Sequence, residues 1–428
     1  MDQTLLTPIT ANPTAFAIAS AIKVLVFFGV YLVTVALLTL AERKISAWIQ
    51  DRHGPNRTGP GGLLQPAADG LKNFMKEELS PGAGNSVLFM LAPAIAFCTA
   101  LVSWAVIPFA APLPTPWGVM SFSIADLPVG FIFTLAISSL GVYGITIAGW
   151  SSNNKYSLLG GLRSSAQMIS YEIAMGLSII PVLLLSGNVT LNAIVQQQAQ
   201  GGFNWNVVNL SVAFLTFLIS AFAETNRLPF DLPEAESELV AGYHTEYSSM
   251  KFSMFFIAEY ANMLTTSGMM ATLFLGGWDI PFTSWDNTGD PSVLKTLLTL
   301  LSFAIKAGFF LFLYMWIRWT LPRFRYDQLM SLGWRFLLPL SLGYIVLIAS
   351  VLLVLQALGV HTGILQSGIL FVINIAVLVL VFVIFDRGRL VSPTTSKLSA
   401  AEMLRLRAQD RADSTLLANV RPESGMGD

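Results

Sequence analysis

Seven carboxylates fall within 36 residues of this chain: Glu224, Asp231, Glu234, Glu236, Glu238, Glu246 and Glu259. Arg227 and Lys251 are the only bases among them. Acids at this density can do proton chemistry: crowding and partial loss of water keep some protonated near neutral pH, so they can take up and release protons. A plainer reading is a solvated acidic loop. In it, Asp231-Leu-Pro-Glu234 forms a capping box with proline early in a helix. Glu234 and Glu238 then share a helical face, and Glu236 points elsewhere. Composition alone favours the plainer reading. The flanks favour the first, because "LTFLISAFAE" and "FSMFFIAEY" put Glu224 and Glu259 at or inside apolar runs.

Two further ionisable groups lie where lipid should exclude them. Glu172 stands in "AQMISYEIAMG", about one turn inside an apolar segment, and Lys306 in "LLSFAIKAGFF", near the middle of another. A charge within a bilayer costs at least ~2.5 kcal/mol and marks a functional candidate by default. For Lys306 a buried ion pair that only fixes packing fits equally well. For Glu172, Glu224 and Glu259 together, a hydrated polar path is the better account. Lys23 sits where it can snorkel outward. His53, His244 and His361 fall in different loops, which speaks against a three-histidine metal site, and Cys98 is the only cysteine. No glycine-rich nucleotide fingerprint, Walker sequence or nucleophile elbow is present. The chain thus carries no visible means of binding NADH or moving electrons.

The elements that must position these groups follow from composition. Of 428 residues, 54% are hydrophobic and 11% charged, with a mean hydropathy of +0.64. A soluble surface needs roughly a quarter of residues charged, so much of this one must face lipid. Nine segments are long and apolar enough to span: 16–40, 87–111, 127–150, 168–186, 207–223, 253–276, 294–317, 337–358 and 364–385. Backbone groups must pair internally in lipid, which predicts an all-α polytopic membrane bundle. Lysine and arginine fix its direction. Loops 43–86, 151–167, 224–252, 318–336 and the tail hold 21 of the 24 basic residues, and the alternate loops hold none. The N-terminus is therefore expected outside and the C-terminus in the cytoplasm. Residues 1–386 form the bundle, with long cytoplasmic loops 42–86 and 224–252, and residues 387–428 a cytoplasmic tail. No cleavable signal peptide is evident. After the turn cluster "GPNRTGPGG", the spacing of Leu63, Leu64, Ala67, Leu71, Phe74 and Met75 predicts an amphipathic interfacial helix. Ser399 and Glu402 predict a short helix in the tail.

Three stretches carry a family resemblance: "ERKISAWIQDRHGPNRTGPGGLLQPAADGLKNFMKEE", "AETNRLPFDLPEAESELVAGYHTEYSSMKF" and "PRFRYDQLMSLGWRFLLPL". They closely resemble the H-type membrane subunit of respiratory complex I, the NADH–quinone oxidoreductase, in the expected order over roughly 16–340. The resemblance implies a subunit of the inner (plasma) membrane of a bacterial-type cell, at the junction of a membrane arm and a peripheral arm. Its cytoplasmic loops would clasp the peripheral quinone-site subunits and form a tunnel for ubiquinone or menaquinone. NADH, FMN and the iron–sulfur clusters would belong to partner subunits, and this chain would hold no covalent or metal cofactor and no nucleic acid. The family's acidic, proton-coupling funnel maps onto Glu172, Glu224, Glu234, Glu236, Glu238, Glu246 and Glu259. Its tunnel residues map onto Glu42, Arg43, Arg52, Asp69, Tyr171, Arg227, Phe230, Asp231 and Arg318. His53 departs from the pattern, and the ninth span and tail extend beyond the family core. Homologous subunits of membrane-bound hydrogenases or of ferredoxin- or F420-dependent redox complexes are an alternative, against which the full tunnel and acid loops speak. A secondary transporter would need inverted repeats and broken helices, and no such internal symmetry is evident.

Overall fold

The computed structural model describes residues 13–82, 84–115, 118–199, 204–233, 236–283, 285–287, 290–359 and 363–386. Within them the regular structure is almost entirely helical, with one short antiparallel pair, Leu113–Thr115 (β1) and Gly118–Met120 (β2).

Helix α1, Pro13–Ile49, contains 37 residues. At 1.5 Å per residue it is roughly 55 Å long, well beyond a hydrocarbon core of about 30 Å. It runs past the predicted span end at residue 40 because no Gly or Pro interrupts "AERKISAWI". Glu42 and Arg43 are thus carried beyond the span on a continuous rod. Helix α2, Gln65–Met75, follows the turn cluster and has no buried residue, and Leu71, Phe74 and Met75 are all exposed. This is the amphipathic helix that the spacing predicts.

Helix α3, Ser86–Ser103, is capped by Asn85, whose side chain accepts from the Val87 and Leu88 N–H groups. Helix α4, Gly130–Ser151, leads through a tight turn to α5, Lys155–Ser186, which Asn154 caps. Hydropathy predicts that the fourth span begins at 168, yet the helix begins thirteen residues earlier. Ser157, Gly160, Gly161, Ser164 and Gln167 read as polar or loop-forming, but all are buried inside the bundle. A Cβ added at Gly160 would lie 2.6 Å from the Tyr243 backbone nitrogen, and one added at Gly161 3.3 Å from the Gly149 Cα. Small residues here allow backbones to touch. Glu172 consequently sits in the middle of α5 rather than one turn inside it.

Helices α6, Leu191–Gln198, and α7, Asn206–Asn209, precede α8, Ser211–Glu224, and Leu210 breaks the rod between the last two (φ −137°, ψ 47°). Helix α9, Glu236–Leu239, is a single turn. Asp231 meets Arg323, and Glu234, its predicted capping-box partner, lies outside the described residues. Helices α10, Ser249–Phe274, and α11, Val293–Thr320, follow. Helix α12, Tyr326–Ser331, passes through a π-helical turn, Leu332–Leu337, into α13, Leu338–Ala357. Helix α14, Ile364–Asp386, ends the described chain.

Seven of these rods are long and apolar enough to cross a bilayer: α1, α3, α4, α5, α11, the α12–α13 rod and α14. The protein is an all-α polytopic membrane bundle. Helix α8 has 14 residues, and α10 carries Glu259, Tyr260, Asn262, Thr265, Thr266 and Ser267. Its polarity fits its place, since nearly every residue from Tyr260 to Phe274 is buried against protein. Residues 1–371 form one compact unit and 372–428 a second, of which the last turns of α14 are described. His361, Glu234 and the helix predicted around Ser399–Glu402 lie outside the described residues.

Candidate functional site

The buried charge centre lies where α1, α8, α10 and α11 meet. Asn226 ends α8 in the left-handed conformation (φ 50°), which Asn tolerates better than most residues. That turn aims Arg227 inward. Gln167 of α5 fixes the segment: its Nε2 donates to the Ala223 carbonyl at 2.8 Å, the Asn226 Oδ1 at 3.2 Å and the Phe230 carbonyl at 2.9 Å.

Arg227 is only 4% exposed. Its Nη1 donates to both carboxylate oxygens of Glu42 at 2.8 Å, and its Nε lies 2.6 Å from Glu259 Oε1. The guanidinium sits 4.4 Å from the Tyr260 ring centre. Tyr260 donates its hydroxyl to Glu42 Oε2 at 2.6 Å, and Arg318 donates to Glu42 Oε1. Two carboxylates and two guanidiniums therefore balance. Burial opposes the charge on Arg227, and Glu259 and Glu42 outweigh it, raising its hold on the proton. Removing one member would leave an uncompensated charge, at a cost of about 3–5 kcal/mol.

Asp231 lies beside this centre, 3.2 Å from Arg323. Burial raises its pKa to about 6, against the opposing pull of Arg323, Arg318 and Arg227. Its Oδ1 is buried with no hydrogen-bond partner among the described residues. Phe230 packs between Tyr171 (ring centres 5.7 Å apart) and Phe324 (5.6 Å), and Tyr171 donates to the Leu329 carbonyl at 2.9 Å.

Two cavities continue inward. The first, about 30 Å³, is bordered by Glu259, Glu224, Asn262 and Tyr243. The second, about 30 Å³, is bordered by Glu224, Asn262, Ser138 and Thr265. Glu224 and Asn262 thus face both. Glu224 is 7% exposed, and its Oε2 has no hydrogen-bond partner among the described residues. On α4, Ser138 borders the second cavity with Glu224, its hydroxyl donating to the Leu135 carbonyl, and Ser139 donates to Glu172. Burial of polar atoms without protein partners, in spaces of this size, suits bridging water.

The remaining candidate residues lie apart. Arg43 pairs with Asp69 at 2.5 Å on the exposed face between α1 and α2, where Asp69 also accepts from Gln65. Arg52 donates to Gln50 and is exposed. Glu238 pairs with Arg163 of α5 at 2.7 Å, and Glu246 accepts from Asn154 at 2.7 Å. The premise that two bases must neutralise seven acids fails, because Arg163, Arg318 and Arg323 reach in from other segments. Among the described acids, Glu238 and Glu246 lie apart from Glu224 and Glu259, which share a cavity. Lys306 belongs to no carboxylate pair: its Nζ donates to the carbonyls of Leu275, Gly277 and Asp279 at 2.5–3.0 Å, closing the C-terminal end of α10. Lys23 is buried rather than snorkelling, and donates to the Ser123 carbonyl at 2.7 Å.

Sequence reading missed Tyr260, Asn262, Arg323, Ser138 and Ser139. The first two had a signal, since "EYAN" places polar residues at successive positions inside an apolar helix. The others had none, because serine and a loop arginine are unremarkable until a neighbour is known. No group of three or more His, Cys, Asp or Glu among the described residues could hold a metal.

Comparison with known proteins assigns this arrangement. Residues 22–349 match the family model described as NADH dehydrogenase. The chain is 52% identical over 336 residues to NADH-quinone oxidoreductase subunit 8 of Rhodothermus marinus, covering 77% of this chain and 96% of that one. It is 48% identical over 341 residues to the first H-type subunit of the NADH-quinone oxidoreductase of Cytophaga hutchinsonii, covering 80% and 98%. With the second H-type subunit of Koribacter versatilis it shares 50% over 346 residues, covering 78% and 97%. A membrane bundle that encloses balanced charges and shows no metal site among its described residues thus belongs, by sequence, to the H-type membrane subunits of NADH–quinone oxidoreductases.

Proposed function

We propose that this chain lines part of a quinone access path and passes the energy of quinone reduction to protons inside the membrane. The observation that carries the reading is the buried set Glu42, Arg227, Glu259, Tyr260 and Arg318, with Glu259 opening onto a cavity that Glu224 shares with a second. A neutral, desolvated cluster is sensitive to one added charge, since low dielectric magnifies it. Negative charge arising near Arg227 or Arg318 during quinone reduction draws a guanidinium from its carboxylate. Glu259, released, takes a proton from cavity water, and Glu224 exchanges one with Glu172 across the α4 serines. Such coupling needs two states that differ in free energy. The paired and unpaired arrangements of Arg227 supply them.

In this reading α8 and α10 complete nine spans, the N-terminus lies outside, and loops 42–86 and 224–252 meet the peripheral quinone-site subunits on the cytoplasmic side of the inner membrane. NADH, FMN and iron–sulfur clusters reside in those partners. The test uses the whole complex in proteoliposomes. Glu224→Gln should cut proton pumping per quinone reduced by about tenfold. NADH–ferricyanide activity, which needs no quinone, should persist. Full pumping in Glu224→Gln and in Glu259→Gln would overturn the proposal. Arg43→Ala should slow quinone reduction and spare ferricyanide reduction; loss of both together would instead report failed assembly.

A further inference from the structure

A third cavity, about 210 Å³, lies away from the acidic site, between α1 and α11. Its walls are almost wholly apolar: Phe27 and Val30 of α1, Trp104 and Phe109 behind them, and Phe303 and Leu311 of α11 among others. The two hydroxyls that border it are already used. Tyr31 donates to the Ala261 carbonyl at 3.0 Å, and Thr34 to the Val30 carbonyl at 2.8 Å. A ligand here is therefore recognised by shape and apolarity alone.

Three features identify the ligand's form. First, the cavity follows α11 from Leu300 to Leu311, roughly 16 Å at 1.5 Å per residue. Spread over that length, 210 Å³ makes a channel roughly 4 Å across, far narrower than the 10–12 Å of a helix with its side chains. A partner's transmembrane helix does not enter it, whereas a hydrocarbon chain does. Second, the channel opens on the outer surface of the bundle. Val30 and Ala304 on its rim are exposed, as are neighbouring Phe28, Leu301 and Ile305, so its mouth meets the bilayer. Third, Gly308 lies on its wall within α11, and a Cβ added there would touch nothing within 4 Å. Gly inside a helix costs up to about 1 kcal/mol relative to Ala. No contact among the described residues accounts for it. A guest molecule passing close to the helix does.

We propose that this channel is a lipid site, holding one acyl chain of a bilayer phospholipid wedged between α1 and α11. The proposal does not depend on the quinone reading, because it uses neither the charge cluster nor its cavities.

The experiment labels native membranes carrying the assembled complex with a phospholipid bearing a diazirine on its acyl chain. After illumination, the cross-linked peptides of this chain are mapped. Cross-links should concentrate on residues 27–34 and 300–311. Gly308→Leu should lower labelling there about tenfold, the loss expected when two or so methylenes are displaced from apolar contact. Ala304→Leu, on an exposed rim, should lower it similarly and guards against a Gly308→Leu protein that fails to assemble. Labelling spread evenly over all lipid-facing helices, or unchanged in both variants, would overturn the proposal. So would labelling abolished by a competing isoprenoid quinone at equimolar amounts, since the channel would then hold a prenyl tail.

Discussion

Arg227 does two jobs that a smaller cation cannot combine. Its fork grips Glu42 through both oxygens, and its opposite edge meets Glu259. Lysine carries a point charge and cannot serve both with fixed geometry. Arg227→Ala should leave two buried carboxylates short of partners and lower the amount of assembled complex on native gels. Arg227→Lys should assemble but reduce quinone about tenfold more slowly, equivalent to about 1.4 kcal/mol. Assembly of Arg227→Ala at wild-type level would show that the cluster is far better hydrated than its burial implies. Asp231 gives a pH signature. Its folded pKa of about 6 lies above the ordinary aspartate value of 3.8. Such a group contributes stability below its unfolded pKa, and that contribution is lost as pH rises through about 6. Asp231→Asn cannot titrate, so any inflection near pH 6 in quinone reductase activity should vanish in that variant. His244 works in the opposite sense. Burial lowers its pKa to about 4, so the stability that its neutral form contributes is lost as pH falls from about 6.5 through 4.

At the scale of elements, α5 is the frame on which the site is hung. Its N-terminal half lies against α4 and the turn at Gly242–His244 with glycine at the contact, and Gln167 ties it to the Arg227 segment. Gly160→Val should push that turn away, because its Cβ would meet backbone 2.6 Å off. Overpacking of this kind costs typically about 1–3 kcal/mol, and faster proteolysis between 240 and 250 would reveal it. Gln167→Leu keeps the volume but strips donors from three buried acceptors, at roughly 1–3 kcal/mol for a buried group left unpaired. Quinone reduction should fall while the complex still assembles. Unchanged quinone kinetics would mean that the loop holds its own shape. The helix-interior polarity of α10 is tolerated for the same reason that α5 can carry Ser and Gln: other helices, not lipid, surround them.

For the whole molecule, the decisive property is which surface faces which compartment. Clustering of 21 of 24 bases in alternate loops puts His53 on the expected cytoplasmic side and Phe282 on the expected outer side. Both are exposed. With Cys98 first replaced by Ser, Phe282→Cys should react with an impermeant maleimide in intact spheroplasts, and His53→Cys only after permeabilisation. The reverse pattern would invert the bundle and move the acidic site to the wrong face for a peripheral partner.

The amino-acid sequence by itself determined the class of the molecule. Apolar runs of about 20 residues admit only helices in lipid, and the spacing before Met75 predicts an amphipathic one. It also singled out Glu42, Arg227, Glu259 and Arg318, the first, second and fourth through resemblance rather than through spacing. Tertiary structure decided the rest. Glu42 and Arg318 lie 276 positions apart and share a hydrogen bond. The start of α5 was hidden because hydropathy counts what a residue is, while burial depends on what it packs against. Glu238, Glu246 and Glu259, close along the chain, each meet a partner of their own, Arg163, Asn154 and Arg227, because charge balance is struck between neighbours in space.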